Sequence, residues 1–230
     1  MSDFSYIKRN LGEVKDDLAR IAKDCGRPAP TLVCVTKSGS DEELLALVRA
    51  GASDIGENRP QELMRRGELL SGAGLFPTLH EIGNLQRNKV KYIIERASLI
   101  HSLDSLSLAE EIERQAAMRD MKARVLIEVN SAGEDAKGGV MPSDVEDFYL
   151  ALSAFPHIEV CGLMTMGPVC ECEEEIRPYF ALTKRIFDDI KTRHGFAGEG
   201  ILSMGMSDSY RVAVEEGSTL VRIGRRLFKK

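Results

Sequence analysis

Eight short, β-rich apolar runs, each separated from the next by enough chain for a helix, dominate this 230-residue sequence. The runs fall at 31–36, 53–55, 78–82, 99–101, 123–129, 158–165, 200–203 and 219–223. Amphipathic segments fill the intervals at about 41–50, 60–70, 87–95, 105–118, 143–153, 172–193 and 208–216. Parallel strands require crossovers of this length. Eight βα steps predict an α/β fold closed into a single (β/α)8 TIM barrel over residues 1–230. An open doubly wound sheet is the competing arrangement, because sequence does not report closure. Against it, no G-x-G-x-x-G follows the first run.

A further segment, about 3–23, carries Phe4, Ile7, Leu11, Val14, Leu18 and Ile21. Spacings of three and four make one apolar stripe, which predicts an extra N-terminal helix packed on the body. Ser40 or Asp41 can cap the helix after the first strand, and Ser143 with Glu146 reads as a capping box for the fifth.

Composition restricts the partners. With 43% hydrophobic and 29% charged residues, the chain reads as a soluble globular protein. A net charge of −5 gives no electrostatic case for nucleic acid or an anionic membrane. The five cysteines, Cys25, Cys34, Cys161, Cys170 and Cys172, form no framework, so reduced thiols in a cytoplasmic protein are expected. Cys170-x-Cys172 has no second cysteine or histidine pair nearby, so no metal site is expected. The first 26 residues lack the apolar core of a signal peptide, and no run is long enough to span a bilayer. A barrel braced by its own N-terminal helix is expected to be a monomer.

Chemistry in such a barrel sits at the carboxyl ends of the strands. Lys37 ends the first apolar run, where a desolvated amine would suit a Schiff base with an aldehyde. The alternative is a lysine whose ammonium reaches back to water. Gly205-Met206-Ser207-Asp208 leads toward a helix start, where N–H groups and the Ser207 hydroxyl favour an anion. Gly224, past the last run, lets a ligand approach the backbone. These two loops follow strands seven and eight, the common phosphate site of the fold, although ordinary capping and an ordinary turn explain them equally well. If Leu220 and Arg222 face one side and Val221 and Ile223 the other, Arg222 enters the barrel, where a ring nitrogen or carboxylate would partner it. An amine, a phosphate pocket and an arginine for a ring nitrogen together describe a pyridoxal 5′-phosphate site.

The chain also resembles a known family, the pyridoxal phosphate homeostasis proteins, whose barrel is that of the alanine racemase N-terminal domain. The resemblance rests on segments in order along the sequence. They include Val33-Cys34-Val35-Thr36-Lys37, Gly56-Glu57-Asn58-Arg59 and His80-Glu81-Ile82-Gly83-Asn84-Leu85-Gln86. They continue with His101-Ser102-Leu103-Asp104, Lys137-Gly138-Gly139, Ser203-Met204-Gly205-Met206-Ser207 and Val221-Arg222-Ile223-Gly224. It implies that Lys37 carries the cofactor as a Schiff base and that Asn58 lies beside its ring. It further implies that Arg222 faces the pyridine nitrogen, that Ser207 and the backbone around Gly224 hold the phosphate, and that His80 and Met206 line the wall. Arg225 stands where relatives often carry a small or hydroxyl residue, so a backbone contact survives there and a hydroxyl contact does not. Arg225 either adds charge toward the phosphate or points to solvent. The tail 227–230 stops early compared with many relatives, which would loosen the last turn.

The implied function is to hold and supply or buffer the cofactor, with little or no catalysis, for pyridoxal-phosphate-dependent acceptor enzymes. The alternative is an amino-acid racemase, which needs a second base; Tyr210, near Ser207, is the tyrosine placed to supply one. A barrel enzyme acting on another phosphorylated substrate through Lys37 is a third reading.

Overall fold

The computed structural model describes residues 4–134, 138–168, 170 and 172–230. Its strands are β1 Thr31–Val35, β2 Asp54–Glu57, β3 Thr78–Glu81, β4 Leu99–Leu103, β5 Ala123–Glu128, β6 Ile158–Met164, β7 Ile201–Ser203 and β8 Leu220–Ile223. All pair in parallel in chain order, and β8 returns to β1, with Val33 beside Arg222 and Cys34 beside Ile223. The barrel is therefore closed, and the open sheet is excluded. The helices are α1 Ser5–Asp24, α2 Asp41–Arg49, α3 Pro60–Gly72, α4 Val90–Ile93, α5 Leu106–Ala117, α6 Val145–Ala151, α7 Arg177–Arg193 and α8 Tyr210–Glu215.

Strand alternation sorts the side chains into two sets. Leu32, Cys34, Val221 and Ile223 point outward into a cluster shared with α1 and α2. Val33, Leu99, Leu126, Cys161, Met164 and Leu220 point inward and form a small apolar plug. Two residues further along β4, β5 and β8, the same alternation presents His101, Glu128 and Arg222. The interior is thus largely apolar toward the amino ends of the strands, with Asp54 at the start of β2 the exception, and polar toward the mouth.

The apolar stripe of α1 buries Ile7, Leu11, Val14, Leu18 and Ile21, and the helix packs between α2 and α8. Each such side chain is worth about 1.5–3 kcal/mol on full burial. The chain's last turn is anchored to this helix rather than loosened. Leu227 is fully buried, and Asn10 Nδ2 donates to the carbonyls of Leu227 at 3.2 Å and Lys229 at 2.7 Å. No helix among the described residues is long and apolar enough to cross a membrane.

Ser40 caps α2 and forms a full capping box with Glu43. The box expected at Ser143 does not form. Pro142–Asp144 makes a short 3-10 turn before α6, and Ser143 Oγ donates to Asp144 at 2.8 Å. Glu146 instead accepts from Arg193 and His194 at the end of α7, at 2.7 and 2.8 Å, which offers it two cationic or polar partners in place of one amide. Proline at position 178 sits in the first turn of α7, where its missing N–H costs nothing, so that helix starts later than the periodicity suggests. The segment expected to be helical at 87–95 is a 3-10 turn, Arg87–Lys89, followed by the single turn of α4.

Candidate functional site at the barrel mouth

Lys37 lies past the end of β1, in a turn, and is exposed. The expectation of a desolvated amine is corrected: the barrel mouth is open at this point, and what is buried is the backbone on either side. Arg66 of α3 donates to the carbonyl of Thr36 at 2.5 Å, to that of Gly39 at 2.8 Å and to Glu57 Oε1 at 2.6 Å. The Thr36 hydroxyl donates to the same Glu57 oxygen. Arg66 and Glu57 are almost fully buried. This bracket clamps the turn that presents Lys37, whose side chain is exposed.

Asn58 follows β2 and is half-buried. The Gly83 loop lies directly against its backbone, since a Cβ at 83 would stand 2.2 Å from the Asn58 carbonyl oxygen. Only glycine permits that approach, which fixes the loops after β2 and β3 to one another.

The loops after β7 and β8 meet. Gly224 N–H donates to Ser207 Oγ at 3.3 Å. A Cβ at 224 would lie 2.9 Å from the Val35 carbonyl, so this loop is also pressed against the end of β1. Residues 207–209 form a turn in which Ser209 and Tyr210 N–H both go to the Met206 carbonyl, and α8 starts only at Tyr210. The expected helix start at Ser207 is therefore a turn. Among the described residues, no protein acceptor takes the N–H groups of Ser207, Asp208 and Arg225. Unused backbone donors in two joined turns are the raw material of an anion-binding site. Arg225 does not enter it; its guanidinium pairs with Asp208, and both side chains are largely exposed. Met206 is exposed on the same rim.

Arg222 faces the barrel interior, as the alternation predicts. Its Nη1 donates to the Ser203 carbonyl at 3.0 Å and to Ser203 Oγ, and its Nη2 donates to the Thr165 carbonyl at 3.0 Å. The Thr165 hydroxyl in turn donates to the Val129 carbonyl at 3.0 Å and lies 2.8 Å from Ser131 Oγ. Burial lowers the Arg222 pKa to about 10, with Glu128 opposing the shift, so the group stays cationic at neutral pH. Burial pushes the Glu128 carboxyl up to about 7; Asp104 adds to this and Arg222 counters it.

His80 does not stand on the rim. It is buried inside the barrel, with Nδ1 3.0 Å from His101 Nε2 and Nε2 3.0 Å from Asp54 Oδ1. The structure thus brings together Lys37, Asn58, Ser207, Arg222 and Gly224 at one mouth, with Met206 and Arg225 at its edge and His80 below it. Lys137 lies outside the described residues. Glu128 and Asp54 were not picked out from the sequence, and Ser203 and Thr165, at marked strand ends, were given no role there. Their signal was polar residues at inward positions of apolar strands. Tyr210 points away from the mouth: its hydroxyl bonds Asp17 of α1 and Arg226.

Residues 10–230 match the family model of the alanine racemase N-terminal domain. The pyridoxal phosphate homeostasis protein of Aquifex aeolicus is 40% identical over 216 residues, 92% of this chain and 93% of that one. The structure of PipY from Synechococcus elongatus with pyridoxal phosphate bound superposes with a TM-score of 0.84 at 27% identity, over 97% of this chain and all of that one. An alanine racemase from Corynebacterium glutamicum, 20% identical, aligns over 99% of this chain and 62% of its own with a TM-score of 0.73, a likeness of fold. The chain belongs to the alanine racemase N-terminal domain family and, within it, to the pyridoxal phosphate homeostasis proteins.

Proposed function

We propose that this chain binds pyridoxal 5′-phosphate at the barrel mouth and holds it for supply or buffering, with little or no catalysis. The observation that carries this reading is the junction of the loops after β7 and β8. Ser207 and Gly224 are tied together there, and the N–H groups of Ser207, Asp208 and Arg225 meet no protein acceptor among the described residues. That arrangement fits a phosphate, and Arg222 below it fits a heteroaromatic nitrogen.

When bound, the cofactor supplies an electrophilic aldehyde and an electron-withdrawing ring. Lys37 supplies the amine for covalent attachment through Nζ. Thr36, Arg66 and Glu57 hold the Lys37 turn in place, and Asn58 would line the place of the ring. Arg222 stays protonated at neutral pH and only donates hydrogen bonds, so a ring nitrogen facing it would remain an unprotonated acceptor. An acceptor nitrogen withdraws electrons weakly, which suits storage better than carbanion chemistry. Tyr210, the tyrosine a racemase reading would need opposite Lys37, is engaged with Asp17 and Arg226 instead.

Equilibrium dialysis of pyridoxal phosphate against pyridoxal tests the phosphate cradle, and incubation of the loaded protein with a cofactor-free acceptor enzyme tests supply. The reading expects tight uptake of the phosphate ester alone, reactivation of the acceptor and no racemisation of alanine by polarimetry. Equal uptake of both aldehydes would contradict the cradle, and rapid racemisation would contradict the carrier role.

A further inference from the structure

Five polar side chains from five strands form one line across the barrel interior. Asp54 on β2 meets His80 on β3 at 3.0 Å, His80 meets His101 on β4 at 3.0 Å, and His101 Nδ1 meets Ser203 Oγ on β7 at 3.1 Å. Ser203 Oγ meets Arg222 Nη1 on β8. His80, His101, Ser203 and Arg222 are all buried.

The two ends of the line fix its direction. A guanidinium only donates, so Ser203 Oγ is the acceptor from Arg222. A carboxylate only accepts, so His80 Nε2 carries a proton toward Asp54. Burial works against the Asp54 carboxylate, but hydrogen bonds from His80 and Ser53, with Lys15 nearby, outweigh it and hold its pKa below the usual carboxylate range. The Ser203 oxygen already accepts from Arg222, so its hydroxyl proton goes to His101 Nδ1, and His101 then donates from Nε2 to His80 Nδ1. Complete burial, with His80 and Arg222 nearby, pushes the His101 pKa well below its ordinary value, so that ring is neutral and its Nδ1 accepts from the Ser203 hydroxyl. Every bond points the same way, from Arg222 to Asp54. Hydrogen bonds aligned in this manner polarise and strengthen one another.

We propose that Asp54 is a positioning residue for Arg222, acting through His80, His101 and Ser203 as a one-way relay that fixes the orientation of the guanidinium. This rests on the reading of Arg222 as the group facing the cofactor ring. Asp54 sets the tautomer of His80, which sets that of His101, which turns the Ser203 proton away from Arg222. The Ser203 lone pair is then held toward Nη1, and the guanidinium keeps one orientation beneath the mouth.

The test is ¹⁵N NMR of the histidine side chains in the cofactor-free protein at neutral pH. The proposal expects both His80 and His101 as the Nε2–H tautomer. A proton on His101 Nδ1 in the native protein would overturn it, because the line would then run the other way. Asp54→Leu removes the terminal acceptor. Its expected result is a His101 signal that is mixed or moved to Nδ1–H, and affinity for pyridoxal phosphate weakened by roughly 3- to 10-fold, the scale of one lost hydrogen bond. Asp54→Asn retains an acceptor oxygen and is expected to keep both tautomers. Unchanged tautomers and affinity in Asp54→Leu would also overturn the proposal. If the native protein takes up no pyridoxal phosphate, the proposed function fails, while the tautomers read without cofactor still decide the relay.

Discussion

Gly224 N–H donates to Ser207 Oγ at 3.3 Å, joining the loop after β8 to the loop after β7. This bond ties together two turns that carry unused backbone donors among the described residues. It also orients the Ser207 hydroxyl oxygen as an acceptor, which leaves its proton free to point toward an anion.

Ser207→Ala is expected to weaken binding of pyridoxal phosphate by roughly 2- to 12-fold, the span of a net hydrogen bond of about 0.5–1.5 kcal/mol. Binding of pyridoxal, which lacks the phosphate, is expected to change little. Isothermal titration with both compounds checks this, and an equal loss for both would place Ser207 away from the phosphate.

Arg66→Met removes one partner from a buried pair and strands Glu57, a change that typically costs about 3–5 kcal/mol. In a domain of this size the melting temperature is expected to fall by roughly 10 °C, measured by calorimetry. The same variant frees the Thr36 and Gly39 carbonyls that frame Lys37. The rate of covalent capture of pyridoxal phosphate at Lys37 is therefore also expected to fall.

Glu81 lies beside Glu57 on adjacent strands, fully buried, and among the described residues no hydrogen-bond partner meets its Oε2. Burial pushes its carboxyl up to about 8; the Gly83 N–H lowers it in part and Glu57 raises it further. The folded protein therefore holds a proton on Glu81 that the unfolded chain releases near the ordinary carboxyl value. Stability from this group is complete below about pH 4.5 and is lost as pH rises through about 8. Glu81→Gln is expected to flatten the decline of unfolding free energy between those values. Urea titrations at a series of pH values measure it, and an unchanged slope would remove Glu81 as its source.

Much of the fold was legible because barrel strands carry a strong local signal. Each of β1 to β8 lies within, or overlaps, an apolar run flanked by crossover-length segments, and the inward turn of Arg222 follows from simple alternation with Leu220. Closure was less legible, because the pairing of β8 with β1 joins residues such as Thr31 and Leu220 that no local pattern connects. The site was legible where a residue sits at a strand end beside glycine, as at Lys37, Ser207 and Gly224. It was obscure where meaning comes from partners across the barrel. His80 reads as a wall residue at a strand end until Asp54 and His101 are seen on either side of it. Burial at Lys37 was overstated because the apolar run stops before it, and the following turn lies at an open mouth.

The central claim is that Lys37 attaches the cofactor at this mouth. The most direct measurement is the visible absorption of the protein incubated with pyridoxal phosphate and freed of excess, before and after borohydride, beside Lys37→Ala. The account predicts a yellow band in the native protein that borohydride abolishes, fixing the cofactor's mass on the chain at Lys37, and no such band in the variant. A native protein that stays colourless, or a variant with the same band, would contradict it.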